Sequence, residues 1–242
     1  MKKMLITGAS TGIDAQTAIE LSPDTLIFVH YNRSKSDAQK VAEKVNTSGG
    51  KAALVQADLM TEEGCDLLYK KVSEQTDSLD ILVNNAGGLI KRAAVDNLQW
   101  DSMIEIFFLN TFLTMLLTKL CIPLLKKANN PVIINITSLA IRNGAPTATI
   151  YGAAKGAIDS FTRGAARELA PKIRVNAIAP GVIETPFHDK FTSKERLKLY
   201  KDNTPLKCFG TSDQIAKTIR FIIENEFMTG ETIDVNGGLF MH

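Results

Sequence analysis

Cysteine is scarce in this chain of 242 residues, which has only three. Cys65, Cys121 and Cys208 lie far apart, form no CxxC pair and are odd in number, which excludes a disulfide framework and a cysteine zinc site. No metal is expected. Charge of one sign is also scarce: 28 basic against 26 acidic residues leave a formal net charge of +2, and nothing in that balance suggests nucleic acid. Long apolar runs are missing as well. The longest charge-free run worth weighing, Ile106 to Thr118, ends at Lys119, short of the ~18 to 20 residues that a bilayer requires. A buried helix and no membrane partner are the expectation. Lys2-Lys3 has the charge of an export signal, but only Met4, Leu5 and Ile6 follow before Thr7 and Gly8, too short an apolar core. The expected compartment is the reducing cytoplasm. No repeat, low-complexity tract or linker-like stretch divides the chain.

What is present is alternation. Short β-rich runs at Lys3-Ile6, Thr25-Tyr31, Ala52-Gln56, Ile81-Val83, Val132-Thr137, Arg174-Ile178 and Thr232-Val235 are separated by amphipathic stretches. The latter are Ser36-Thr47, Thr61-Thr76, Gln99-Ala128, Tyr151-Ala170 and Ser212-Glu226. Continuous apolar strands between helices imply an α/β fold, a single Rossmann-like domain whose doubly wound parallel sheet is covered on both faces. Thr185 to Thr211 breaks the alternation. It is polar and lysine-rich, sits before the last strand and reads as a substrate lid.

Between the first strand and the first helix stands TGASTGID, with Gly8, Ser10, Thr11, Gly12 and Ile13. Glycines there, followed by the amides and positive dipole end of a helix, suit a pyrophosphate; the spacing alone also fits a simple tight turn. The end of the second strand chooses the cofactor. An NAD site usually has an acidic residue there, whereas this chain has Tyr31-Asn32-Arg33-Ser34. A guanidinium and a hydroxyl suit a 2′-phosphate, so NADP(H) is preferred to NAD(H).

Tyr151 and Lys155 are four residues apart, hence on one helix face. A lysine beside a tyrosine is expected to favour the phenolate and lower its pKa, as an acid or base near neutrality requires. Ser138 ends a buried strand, and Asn84-Asn85-Ala86-Gly87 ends another. All of these converge on the carboxyl edge of the sheet, where ligands bind.

With these residues the chain resembles the short-chain dehydrogenase/reductase family. The matching set runs through Thr7-Gly8…Gly12, Asp58-Leu59, Asn84-Asn85-Ala86-Gly87, Asn110, Ser138, Tyr151…Lys155 and Pro180-Gly181…Thr185. The ending Met228 to Gly238 is similar to that of β-ketoacyl-carrier-protein reductases, and to many sugar, steroid and polyol dehydrogenases. The resemblance implies an oxidoreductase that interconverts a carbonyl and a secondary alcohol, with a 3-oxoacyl thioester among the candidate substrates. It implies that Tyr151 exchanges the proton with the substrate oxygen while Ser138 holds that oxygen. Lys155 would tune Tyr151 and bind the nicotinamide ribose, and Asn110 would steady a water linking Lys155 to solvent. Asp58 and Leu59 would meet the adenine, Asn85 the adenosine side, and Ile183 and Thr185 the nicotinamide side. Asn110 also fits a satisfied core residue, and Asp58 a turn cap. The family further implies a homotetramer, with a homodimer next, built on the Gln99-Ala128 and Tyr151-Ala170 helices and on the Leu239-Phe240-Met241 tail.

Position 14 departs from that pattern, since Asp14 stands where the family has glycine. A carboxylate suits a helix N-terminus, yet near a pyrophosphate it costs on the order of 1 to 4 kcal/mol. The reading taken is that Asp14 points into solvent behind its helix and leaves the site working. The alternative is a non-catalytic dinucleotide-binding regulatory protein of the same fold. In the lid, Lys190, Lys194, Arg196, Lys198, Lys201 and Lys207 outnumber Asp189, Glu195 and Asp202. An acidic carrier protein suits that excess, and so does a solvated lid.

Overall fold

The computed structural model describes residues 1–186 and 192–241. Asp189 and Lys190 of the charged segment lie outside the described residues. Seven strands, β1 (Lys2–Ile6), β2 (Thr25–Tyr31), β3 (Lys51–Gln56), β4 (Ile81–Asn84), β5 (Val132–Ile136), β6 (Arg174–Pro180) and β7 (Thr232–Val235), form one sheet in the order β3-β2-β1-β4-β5-β6-β7. Every pairing is parallel. The chain order reverses between β1 and β4, which opens a crevice at the carboxyl ends of those two strands.

Successive strand residues serve opposite faces, as the two-residue period of a pleated strand demands. Met4, Ile6, Ile27, Val29, Ile81, Val83 and Ile134 pack on one side with Ile215, Ile219 and Ile222. Their neighbours Leu5, Phe28, Leu82 and Ile133 pack on the other side with Leu68, Leu113, Leu117 and Leu125. The first side is covered by helices α1 (Gly12–Glu20), α2 (Lys35–Thr47) and α9 (Ser212–Glu224); the second by α3 (Glu62–Ser73), α5 (Leu113–Leu125) and α7 (Thr149–Leu169). Short α6 (Ala140–Asn143) precedes α7, and α8 (Lys194–Asn203) lies in the segment expected to be a lid.

Local chemistry explains several boundaries. Thr61 Oγ accepts from Gly64 N at 3.0 Å to cap α3, and Thr211 and Gln214 form a reciprocal capping box on α9. The stretch Gln99-Ala128 divides, however, into α4 (Trp100–Phe107), a π-helical turn (Phe108–Phe112) and α5. Taken together, the 26 helical residues Trp100–Leu125, whose most apolar window has a mean hydropathy of 1.7, are long enough by length and composition to cross a membrane; half of that window is buried in the protein. The shortness expected from the charge-free run therefore does not extend to the whole helix. Burial against α7 and the sheet explains its composition.

Candidate active site

At the crevice, β1 runs into the glycine-rich loop. The Thr7 hydroxyl accepts from Asn85 N and Ala86 N, both at 3.0 Å, and so ties the end of β4 to that loop. Gly8 has φ 76°, and a Cβ there would lie 3.3 Å from the Ala86 backbone, so glycine fits both the left-handed conformation and the close approach. Gly12 opens α1 with φ 64°, and no side chain caps that helix. Its first amides are thus left for a ligand, the arrangement a phosphate requires. The residues present fit a nicotinamide dinucleotide here, with Asp14 as the one discordant group.

His30 is a site residue that sequence reasoning passed over. Gly8 N donates to its Nδ1 at 3.0 Å, and its Nε2 lies 3.2 Å from the Ala57 carbonyl. Burial lowers its pKa to about 4, so the ring is neutral, with Nδ1 accepting and Nε2 donating. It fastens the loop to the ends of β2 and β3. A histidine at a strand terminus, 22 residues from the loop, was the only signal available.

At the end of β2, Tyr31 is buried, Asn32 is half-buried, and Arg33 and Ser34 are exposed. Asp58 Oδ1 accepts from Met60 N at 3.1 Å, an Asx turn of the kind its position allowed, while Leu59 is buried. Pro180 ends β6, and Gly181, Ile183 and Thr185 follow it at the same edge; Ile183 bridges to Gly210, and a Cβ on Gly12 would meet Thr185 at 3.5 Å.

The second group gathers around Gly87. A Cβ on Gly87 would sit 2.9 Å from Asn110 Oδ1 and 3.2 Å from Lys155 Nζ. Lys155 Nζ donates to the Ile136 carbonyl at 2.8 Å, beside Ser138 at the end of β5. Ser138 lies near enough to Tyr151 to act on the pKa of its hydroxyl. Asn110 lies within the π turn: its Oδ1 accepts from Gly88 N, and its Nδ2 donates to the Gly88 and Ile106 carbonyls, all at 2.9 Å. That engagement of the carbonyl four residues back accounts for the interrupted helix. Behind these groups Asn84 donates to Thr118 and Asn135, and Asn135 to Thr162, in a buried network that fixes β4 and β5 against α5 and α7.

Two expectations are corrected. Burial raises the pKa of Tyr151, opposed only by the influence of Ser138; Lys155 does not lower it, its ammonium being turned to the Ile136 carbonyl. Asp14 does not point into solvent. It is 1% exposed, its Oδ2 accepts from Asn85 Nδ2, and its Oδ1 has no hydrogen-bond partner. Burial raises its pKa well above the usual carboxylate range, against the field of Lys155 and the Asn85 bond. Lys155 is brought down to about 8 by burial, against the field of Asp14. The inward turn follows from position: the third residue of α1 faces the end of β4, where Asn85 offers a donor.

The model of the short chain dehydrogenase family matches residues 2–196. This chain belongs to that family. The dehydrogenase is 34% identical to a 3-oxoacyl-[acyl-carrier-protein] reductase of Synechocystis sp. over 98% of its own length and 96% of the relative's. Among solved structures it is similar to an NADH-dependent reductase responsible for alginate metabolism (TM-score 0.91, 28% identity, 100% and 98% of the two chains). An angucycline C-6 ketoreductase with bound NADP also matches (TM-score 0.91, 28% identity, 98% and 95%). The protein is accordingly an oxidoreductase of the short-chain dehydrogenase/reductase type, acting between a carbonyl and an alcohol with a nicotinamide dinucleotide. These relatives do not favour the non-catalytic alternative.

Proposed function

We propose that this dehydrogenase is an NADP(H)-dependent carbonyl reductase of the cytoplasm, with 3-oxoacyl thioesters as its substrate class. The observation that carries the reading is the gathering of Lys155, Asn110 and Gly87 at the carboxyl edge, with the Lys155 ammonium on the Ile136 carbonyl two residues before Ser138 and Tyr151 one turn before Lys155 on α7. When bound, the reduced dinucleotide supplies the hydride. Tyr151, kept protonated by its raised pKa, gives its proton to the substrate oxygen in reduction and recovers it in oxidation. Ser138 holds that oxygen, and Lys155 binds the nicotinamide ribose. The side chain of Asn110 is occupied by backbone groups, so its part is to hold the π turn, whose displaced carbonyls suit a water leading from Lys155 to solvent.

Gly8, Ser10, Thr11, Gly12 and Ile13 would receive the diphosphate, with Tyr31 to Ser34, Asp58 and Leu59 on the adenosine side. Asn85 to Gly87, Pro180, Gly181, Ile183 and Thr185 would complete the binding site. Arg33 supports NADP(H), being an exposed cation where an NAD site has a carboxylate. The name of the Synechocystis relative supports an acyl thioester. A narrow cleft beside Tyr151, lined by Lys91, Gln99, Ser102, Met103 and Ile106 among others, would be the substrate's point of entry. The exposed α8 with Lys194, Arg196, Lys198 and Lys201 would face an acidic carrier protein and act as the lid. The exposed Trp100, Ile104 and Phe112 on the α4–α5 helix suit the homotetramer interface.

The test is steady-state reduction of a 3-oxoacyl thioester panel with NADPH by native protein and Tyr151→Phe. Loss of roughly 10² to 10⁴ in kcat, with dinucleotide affinity retained, is expected of a missing proton donor. Equal turnover by the two proteins would defeat the reading.

A further inference from the structure

The buried carboxyl group at position 14 has no part in the chemistry so far assigned. Asp14 is the third residue of α1 and thus lies within one helical turn of the Gly12 and Ile13 amides. It is sealed from water, one oxygen tied to Asn85 and the other without a partner. Few charges act on it. From α7, Lys155 favours the carboxylate. At the ends of β2 and β4 the facing groups, His30 and Asn85, are neutral. The helices packed on α1 carry outward ion pairs, Lys40–Asp37 on α2 and Lys217–Asp213 on α9, and Arg220 of α9 pairs with Glu20 at the far end of α1.

The proposed function brings a dianionic diphosphate to those same amides, and this inference rests on that reading. An unscreened carboxylate one turn away opposes the diphosphate, and Lys155 alone cannot offset three negative charges. A carboxylic acid does not oppose it. We propose that dinucleotide binding is coupled to the uptake of one proton by Asp14, which makes Asp14 the residue that sets the pH range over which this enzyme holds its cofactor. Above the pH at which Asp14 ionises in the free protein, the dissociation constant rises about tenfold per pH unit, as linkage of one proton to binding requires. Below that pH it is flat. Glycine at this position would remove both the penalty and the pH dependence.

Isothermal titration of NADPH and of NADH into native protein, Asp14→Asn and Asp14→Gly, in buffers of different ionisation enthalpy from neutral to alkaline pH, counts the protons directly. NADH lacks the 2′-phosphate, whose own ionisation near pH ~6 would otherwise contribute. The asparagine keeps the contact with Asn85, since its carbonyl still accepts. Native protein is expected to take up as much as one proton, with a sloping dissociation constant, while both variants show neither. Uptake undiminished in Asp14→Asn, which would place it on Lys155, overturns the inference, and so does a flat, proton-free native isotherm. If neither dinucleotide binds the native protein or Asp14→Gly, the proposed function fails and takes this inference with it.

Discussion

Replacing Lys155 by methionine is expected to stabilise the protein at neutral pH while abolishing its activity. Burial lowers the Lys155 pKa from 10.5 to about 8, a shift worth roughly 3 kcal/mol against the charged form. The folded pKa is the depressed one, so between about pH 8 and 10.5 the unfolded chain holds more protons, and stability rises with pH across that window. Below it the cost of burying the ammonium is borne in full. Methionine removes that cost with nearly the same shape, and forfeits the hydrogen bond to the Ile136 carbonyl, worth about 1 kcal/mol. Loss of the ammonium's field raises the Asp14 pKa further, which favours an uncharged core. The net expectation is a gain of about 2 kcal/mol at neutral pH that vanishes by about pH 10. Urea unfolding of both proteins at one fixed concentration, at neutral pH and near pH 10, measures it. A less stable Lys155→Met at neutral pH, or a difference that ignores pH, would refute the assignment of Lys155 as a buried and strained cation.

Arg33→Ala is expected to weaken NADPH binding about tenfold, the scale of one exposed charge-assisted contact, with little effect on NADH; fluorescence titration of both dinucleotides reports it. Gly64→Ala should destabilise by more than about 3 kcal/mol, because a Cβ there would lie 1.6 Å from the Asp58 carbonyl oxygen. Denaturant unfolding checks this, and a variant of native stability would show that the α3 turn relaxes freely. Sedimentation equilibrium should give a multiple of the 26.4 kDa chain; a monomer at micromolar concentration would end the tetramer proposal.

The sheet was legible because its strands are continuous β-rich runs between amphipathic helices, and their boundaries moved by only one or two residues. Gln56, Ile136 and Pro180, for instance, end strands within two residues of where the pattern placed them. That Tyr151 and Ser138 lie at one edge was also legible, since strand ends and helix starts in this topology converge there. The interrupted helix at Asn110 was not. Its apolar pattern continues through the turn, and the cause is a side-chain bond to a carbonyl that spacing cannot reveal. The pKa of Tyr151 misled for a related reason: four-residue spacing puts Lys155 on the same helix face, but the Ile136 carbonyl draws its ammonium away.

Position 14 draws the line most sharply. By itself the sequence determined that an aspartate stands in the first turn of α1, close in the chain to the amides that receive phosphate. Only the tertiary structure decided that its side chain turns inward to Asn85, 71 residues away, and into the field of Lys155 from another helix. Helical position fixes the direction of a side chain relative to its own axis. Whether that direction meets water or a buried amide depends on which distant segments pack there, and burial governs the cost of the charge.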